Sequence, residues 1–359
     1  MGIAEIPTVA VTNGEVLGEG TPSTPPDGRG RADSVVGVAT TRLQSLLHAR
    51  ATLGPSVVLV LAVVVFSLVS ERFLEPTNVS LVLQQVAVVG TLAVGQTIVI
   101  LTAGIDLSVG AIMVLSSIVM GKLAAEAGLP GPVAILIGLL VGLACGLING
   151  GLVTRVKLPP FIVTLGTLNI FFALNLWYSE SATVRGADMS SLLLWTGETF
   201  TVFDTRVTYG SIMMLALFAV MGFALRMTAW GRHVYATGDD EEAARLSGVR
   251  TSRVLVSVYA AAGVIYALGA WILIGRIAAA DPQAGQSENL DTITAVVLGG
   301  TSLFGGRGAI LGTLIGALFV GVLRNGLALA GVDVLWQNFA VGVFIIVAVA
   351  IDQWIRRLR

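Results

Sequence analysis

The stretch V-A-V-V-G-T-L-A-V-G-Q-T-I-V-I-L-T-A-G-I-D-L-S-V-G-A-I-M-V-L, Val86 to Leu115, carries one charged side chain, Asp106, in an otherwise apolar and glycine-bearing run. It reads as parts of two membrane helices, at about 82–102 and 107–125, interrupted around Gly104 and Gly110. Asp106 falls at the interruption. There it is placed to cap the second helix through the backbone amides of Ser108 and Val109.

Working outward, further apolar runs lie at roughly 53–70, 132–154, 159–178, 209–226, 254–275, 290–304, 308–326 and 334–352, with the run at 290–304 too short to span comfortably. The chain has 359 residues, 55% hydrophobic and 12% charged, and its mean hydropathy is +0.87. These values exclude a water-soluble globule, and the lack of long alternating strands excludes an outer-membrane barrel. The expected fold class is all-α: a polytopic membrane helical bundle of about ten transmembrane segments. Cys145, His48 and His233 are too few for a disulfide framework or a Cys/His zinc site. A net charge of −1 offers nucleic acid no field.

Residues 1–50, with Pro7, Pro22, Pro25 and Pro26 among Gly, Ser, Thr and Asp, are expected to form a disordered cytoplasmic tail. They lack the basic start and short apolar core of a signal peptide, so the N-terminus is expected to be retained. Residues 51–359 form the transmembrane domain, broken by polar connections at 179–208 and 227–253. If all ten segments cross and the N-terminus is cytoplasmic, fifteen of the 21 basic residues fall on the cytoplasmic side. The other six, Arg72, Lys122, Arg185, Arg206, Arg276 and Arg324, fall opposite. The bias places both termini and the 227–253 loop inside.

Gly138, Gly142, Gly146 and Gly150 recur every four residues, as do Gly308, Gly312 and Gly316, and each set predicts a helix face open to close packing, within one subunit or between two. A-G-I-D-L-S-V-G (Ala103 to Gly110) is echoed by G-G-T-S-L-F-G-G (Gly299 to Gly306), which raises the prospect of two related halves.

The lysines, Lys122 and Lys157, stand in no Gly-Lys-Ser/Thr loop, and Gly300-Thr301-Ser302-Leu303-Phe304 lacks the second glycine of a nucleophile turn, so the chain is not expected to be an enzyme. Asp106 has no intramembrane Lys or His partner, which argues against a proton relay. Uncharged polar side chains are more plentiful. Gln96, Thr164, Thr167 and Asn169, with Asp106, are candidates for a translocation path suited to a neutral hydroxylated solute, against a reading as interhelical hydrogen bonds.

In the 227–253 loop, Asp239 with Glu242 three residues on forms a capping-box pattern, and Gly248 ends the helix it would start. A two-turn helix from Asp239 to Ser247 standing alone, with Ala243, Ala244 and Leu246 as small apolar contacts, is marginal in water and calls for a docking partner, against a reading as a solvated charged loop that merely joins two helices.

G-I-D-L-S-V-G (Gly104 to Gly110), L-P-P-F-I-V-T-L-G-T-L (Leu158 to Leu168), G-R-H-V-Y-A-T-G with E-A-A-R-L-S-G-V (Glu242 to Val249), and A-V-V-L-G-G-T-S-L-F-G-G-R-G (Ala295 to Gly308) together resemble the ribose-type permease subunits of bacterial ATP-binding-cassette importers for sugars. The likeness runs from about residue 55 to the end. It implies a multi-pass protein of the bacterial inner membrane, in contact with membrane lipid, that carries a pentose, hexose or polyol such as inositol. It also implies a second permease copy, a soluble sugar-binding protein and a cytoplasmic ATPase subunit that binds the ATP, leaving this chain without a cofactor. Glu242, Ala243, Ala244 and Gly248 match the family's ATPase-contacting loop helix, and Gly238, Asp239 and Leu246 belong to the same coupling loop. The N-terminal tail departs from the family pattern. So does Ile170 to Leu176, which is more apolar than the often Arg/Gly-containing stretch after the T-L-G motif. The competing class is a self-sufficient secondary carrier.

The purified chain, shown free of ATPase subunits, should hydrolyse no ATP in a phosphate-release assay. Activity above the no-protein blank would contradict the missing P-loop.

Overall fold

Proline opens three of the long helices, where its missing N–H is harmless. In a computed structural model that describes residues 53–185, 189–285 and 288–357, the helices in chain order are α1 (Leu53–Val69), α2 (Pro76–Leu101), α3 (Val109–Ala125), α4 (Gly131–Arg155), α5 (Pro160–Ser179), α6 (Ser191–Leu194), α7 (Tyr209–Met227), α8 (Ala229–Asp239), α9 (Glu241–Leu246), α10 (Thr251–Ile277), α11 (Glu288–Leu298), α12 (Ile310–Leu329) and α13 (Val334–Arg357). The expected tail at 1–50 lies outside the described residues. Pro76, Pro132 and Pro160 sit in the first turns of α2, α4 and α5. The all-α membrane bundle is as expected. Six of the described helices, α2, α4, α5, α7, α10 and α12, are long and apolar enough to cross a bilayer, and shorter apolar helices cover Leu53–Val69, Val109–Ala125 and Val334–Ala350.

The centre is α2, in which every residue from Val86 to Leu101 is buried. It lies antiparallel to α12. Asn78 and Asn325 exchange amide hydrogen bonds of 2.9 and 2.8 Å at one end of the pair, and the hydroxyls of Thr97 and Thr313 meet at 2.8 Å towards the other. Between them, Gly321 of α12 leaves room for Val86.

The glycine ridge of α4 packs within the chain. A Cβ at Gly142 would meet the carbonyl of Gly263, one at Gly146 the carbonyl of Tyr259, and one at Gly150 the Val256 Cα at 3.0 Å, all on α10. Gly138 faces Met120 of α3 instead. The second ridge needs correction. Gly308 lies before α12 starts, with φ +156 and Thr301 against it. Gly312 and Gly316 do lie on α12, and their backbones abut the carbonyls of Gly299 and Ala295 at the C-terminal end of α11.

The expected segment at 290–304 is a half-helix. α11 has 11 residues, about 16 Å at 1.5 Å per residue, against a hydrocarbon core of about 30 Å. It does not turn back. Asp291 bonds Arg324 near the Asn78–Asn325 end of the bundle, while the Gly306 amide donates to the Leu101 carbonyl at the far end of α2, 3.0 Å away. Residues 299–309 therefore continue along the bundle to the far end of α2 in non-helical chain.

At the Asn78 end, β1 (Val184–Arg185) pairs antiparallel with β4 (Ala279–Ala280), and β2 (Thr199–Val202) with β3 (Thr205–Thr208). Both residues of the β2–β3 turn, Phe203 and Asp204, have positive φ, the geometry that matches strand twist in a two-residue hairpin. Lys122 is held nearby by the Tyr178 carbonyl at 3.0 Å and the Glu126 carboxylate at 3.3 Å.

Gly146→Leu should lower the stability of the detergent-solubilised chain by about 1–3 kcal/mol, because any side chain there pushes α4 off α10. Gly151→Ala, with nothing within 4 Å of its added Cβ, should not. Heating followed by size-exclusion chromatography reads the difference; equal loss of monodisperse protein would refute the packing.

Candidate functional site

The 227–253 connection folds as two helices. Thr228 opens α8 by accepting from the Gly231 amide, 3.2 Å. The sequence offered Gly231 and Gly238 as loop residues, yet both lie in α8 and are buried there, Gly231 against the Leu225 carbonyl and Gly238 against the Leu101 carbonyl. Asp239 is the last residue of α8, so the cap of the next helix is Asp240, whose carboxylate accepts from the Ala243 amide at 2.9 Å. The expected capping box does not form, because with Asp240 as the cap its reciprocal position falls on Ala243, and Glu242 pairs with Arg245 at 2.6 Å. Gly248, at φ +88, does follow the end of α9, and its amide donates to the Arg245 carbonyl.

Exposure then sorts the expected contact residues. Leu246 is 79% exposed and Ala243, Glu241 and Glu242 also face outward, whereas Ala244 is buried against its own chain. Ala244 is thus an internal contact, and Gly238 likewise. The outward face consists of the acidic first turn of α9 and one bare leucine. Behind it, Tyr235 of α8 donates to the Gly308 carbonyl at 3.0 Å. Burial holds this phenol above its ordinary pKa against the opposing Arg226 charge, so it stays a donor.

The second cluster forms where α2 ends. Thr102 closes α2, Ala103 takes φ +59, and α3 restarts at Val109. Asp106, 1% exposed, accepts from the Ser108 amide at 2.8 Å and the Ser108 hydroxyl at 2.6 Å. It so braces the residue before α3. From Ser108 a chain of side chains crosses three helices: Asn149 Nδ2 of α4 donates to Ser108 Oγ at 2.9 Å, and Thr167 Oγ1 of α5 donates to Asn149 Oδ1 at 2.7 Å. Thr164 Oγ1 reaches the Ile105 carbonyl at 2.9 Å. Gln96 accepts from the Tyr266 hydroxyl at 3.3 Å, with Tyr259 buried one face-repeat away on α10.

Four of the five residues considered for the path, Gln96, Asp106, Thr164 and Thr167, therefore gather around one helix break. Asn169 does not join them; it lies on the exposed face of α5, bonded to its own Leu165 carbonyl at 3.0 Å. Asn149 and Ser108 are the joints of the network, and Tyr259 and Tyr266, seven apart on α10, were signalled only by that spacing. The members are hydrogen-bonded to each other across helices, as interhelical ties are, and no group of three or more His, Cys, Asp or Glu that could hold a metal occurs among the described residues.

The charge count treats Arg324 as one of the six basic residues of the non-cytoplasmic side, facing water. It is instead 9% exposed within α12, its Nη2 2.6 Å from Asp291 Oδ1 and its Nη1 3.1 Å from Asn338 of α13. A buried pair of this kind neutralises itself and joins α11, α12 and α13.

Asn149→Leu should destabilise the chain by about 1–3 kcal/mol, since it removes the buried hydrogen bonds that Asn149 makes to the hydroxyls of Ser108 and Thr167. Asn169→Leu should be nearly silent in the same thermal assay. The reverse ranking would mean that the Ser108–Asn149–Thr167 line does not hold the break.

Comparison with known proteins agrees with this architecture. The family described as branched-chain amino acid transport system / permease component matches residues 78–349. The chain is similar to the fructose import permease protein of Rhizobium meliloti, 50% identical over 321 residues, covering 88% of this chain and 89% of that one. It is 43% identical to the ribose import permease protein of Bacillus subtilis (strain 168), covering 84% and 92%. With the D-allose transport system permease protein of Escherichia coli (strain K12) the identity is 35%, covering 85% and 92%. These relatives are transport permeases rather than enzymes. With a matched region that takes in both helix breaks, the two-helix loop and the α4–α10 pair, the chain belongs to this permease family, in its ribose-type branch of ATP-binding-cassette importer subunits.

Proposed function

We propose that the chain is the membrane-embedded permease subunit of an ATP-binding-cassette importer that brings a sugar or related polyol across the bacterial inner membrane. The observation that carries this reading is the 50% identity to a fructose import permease over nearly the full length of both chains. It is supported by an uncharged polar inventory and by the 227–253 loop, whose α9 presents an exposed Leu246 beside an acidic first turn.

A separate cytoplasmic ATPase supplies the energy through that loop, a soluble binding protein delivers the sugar, and two copies of this chain form the pathway. The chain crosses ten times with both termini cytoplasmic, α11 with residues 299–309 making one crossing. Asp291 is paired with Arg324 and Asp106 accepts two hydrogen bonds from Ser108, so neither of these carboxylates is free for a secondary carrier to protonate.

Reconstitution with the ATPase and binding protein encoded beside it should give ATP-dependent uptake of fructose, ribose or a related sugar; uptake driven by an ion gradient without ATP would replace this reading with the carrier. Leu246→Glu places a carboxylate on the face proposed to be desolvated by the ATPase, at several kcal/mol. It should lose ATPase co-purification while inserting normally. In a Cys145→Ala background, Ser247→Cys should react with impermeant thiol reagents only after permeabilisation; labelling in intact cells would invert the topology.

A further inference from the structure

The two interrupted helices touch, and α8 lies across the junction. The Gly306 amide donates to the Leu101 carbonyl at 3.0 Å, joining the non-helical segment after α11 to the C-terminal end of α2. Onto this joint α8 presses bare backbone. A Cβ on Gly238 would run into the Leu101 carbonyl and stand 2.8 Å from the Gly306 nitrogen. A Cβ on Gly306, which holds φ +67, would stand 2.7 Å from the Asp239 Cα, and one on Gly305 2.8 Å from the Ala103 nitrogen. One turn earlier on α8, the Tyr235 hydroxyl donates to Gly308 at the far end of the same segment.

We infer that α8, rather than the exposed α9 alone, is the element that transmits displacement into the bundle, by being wedged against both helix breaks at once. This rests on the importer reading above. The physical reason is that backbone meets backbone where Gly238, Leu101 and Gly306 come together. A shift at a surface lined by flexible side chains is absorbed by rotamer changes, but backbone packed on backbone, as at Gly238, has no such slack. From Leu101 and Ala103 the shift passes through the Asp106–Ser108 brace to α3, and on through Asn149 and Thr167 to α4 and α5. From Gly306 and Gly308 it passes to the junction of α11 and α12, where Gly299 abuts Gly312. One movement of α8 thus reaches both breaks together. α9, through its exposed face, receives the push, and α8 delivers it.

The test is the number of sugar molecules taken up per ATP hydrolysed in proteoliposomes holding this chain, its ATPase and its binding protein, with fructose and ribose as probes. Tyr235→Phe removes one hydrogen bond and should lower that ratio about threefold. Gly238→Ala forces α8 off the joint and should lower it about tenfold or more. In both, the ATPase should still co-purify and hydrolyse ATP. Gly151→Ala serves as the unchanged control. If Gly238→Ala does not fold, Tyr235→Phe decides alone. Wild-type ratios in correctly assembled variants overturn the wedge and leave the importer standing. Uptake and hydrolysis falling in equal proportion also overturn it, since the contact would then serve assembly only. Absence of ATP-driven uptake by the wild-type chain overturns the importer reading, and the wedge with it.

Discussion

In hydrocarbon, each backbone amide and carbonyl must find a partner inside the protein, and a helix that stops at depth leaves several without one. In this chain α2 ends at Leu101 beside the two-helix loop and α11 ends at Leu298 after only 11 residues, and much of the architecture follows from how those two ends are satisfied. The Leu101 carbonyl is taken by Gly306, the Ile105 carbonyl by Thr164, the Ser108 amide by Asp106 and the Gly110 amide by Asn289. The first break is therefore completed both by its own Asp106 and by residues distant in sequence, Thr164, Asn289 and Gly306. The Asp at the first break is explained by its geometry: a carboxylate that accepts two hydrogen bonds from Ser108 organises the restart of α3 while its charge is met by donors.

Around these breaks the bundle is drawn together by glycine. Lipid chains are as apolar as leucine, so helices in a membrane gain little by burying apolar surface and depend on close approach and hydrogen bonds. The α4–α10 pair achieves the first through Gly142, Gly146 and Gly263, whose backbones meet directly. The α2–α12 pair achieves the second, fastened by asparagines at one end and threonines at the other. The ion pair of Asp291 and Arg324 adds a third kind of tie at the N-terminal end of the half-helix.

Much of this was legible in the amino-acid order, and the exceptions have physical causes. Apolar runs located the long helices, but α2 begins at Pro76 rather than near 82, because its first turns carry Asn78 and Ser80, polar groups that serve Asn325 and the Arg206 carbonyl. Gly231 and Gly238 stand among the polar residues of the loop, yet they are helical residues whose missing side chains admit neighbouring backbone. The loop folds as two helices rather than one, and the cap of the second is Asp240 rather than Asp239. Asn169 follows Thr167 by two residues, about 200° around a helix, so its place on the opposite face was recoverable from spacing. The pairing of Arg324 with Asp291, 33 residues away, left no local trace.

The fastening of α2 to α12 has a consequence for how the protein is made. Asn78 and Asn325 are separated by 247 positions, and at about 5–20 residues per second of synthesis the first waits roughly 12–50 seconds for the second. Until α10 and then α12 are made, the innermost helix of the finished bundle stands in the membrane with Gln96 lacking Tyr266, and Asn78 and Thr97 lacking Asn325 and Thr313. The most buried element is thus the one that depends longest on borrowed company, from the insertion machinery or from α3 to α5, whose Thr164, Thr167 and Asn149 are synthesised soon enough to close the first break while the second does not yet exist.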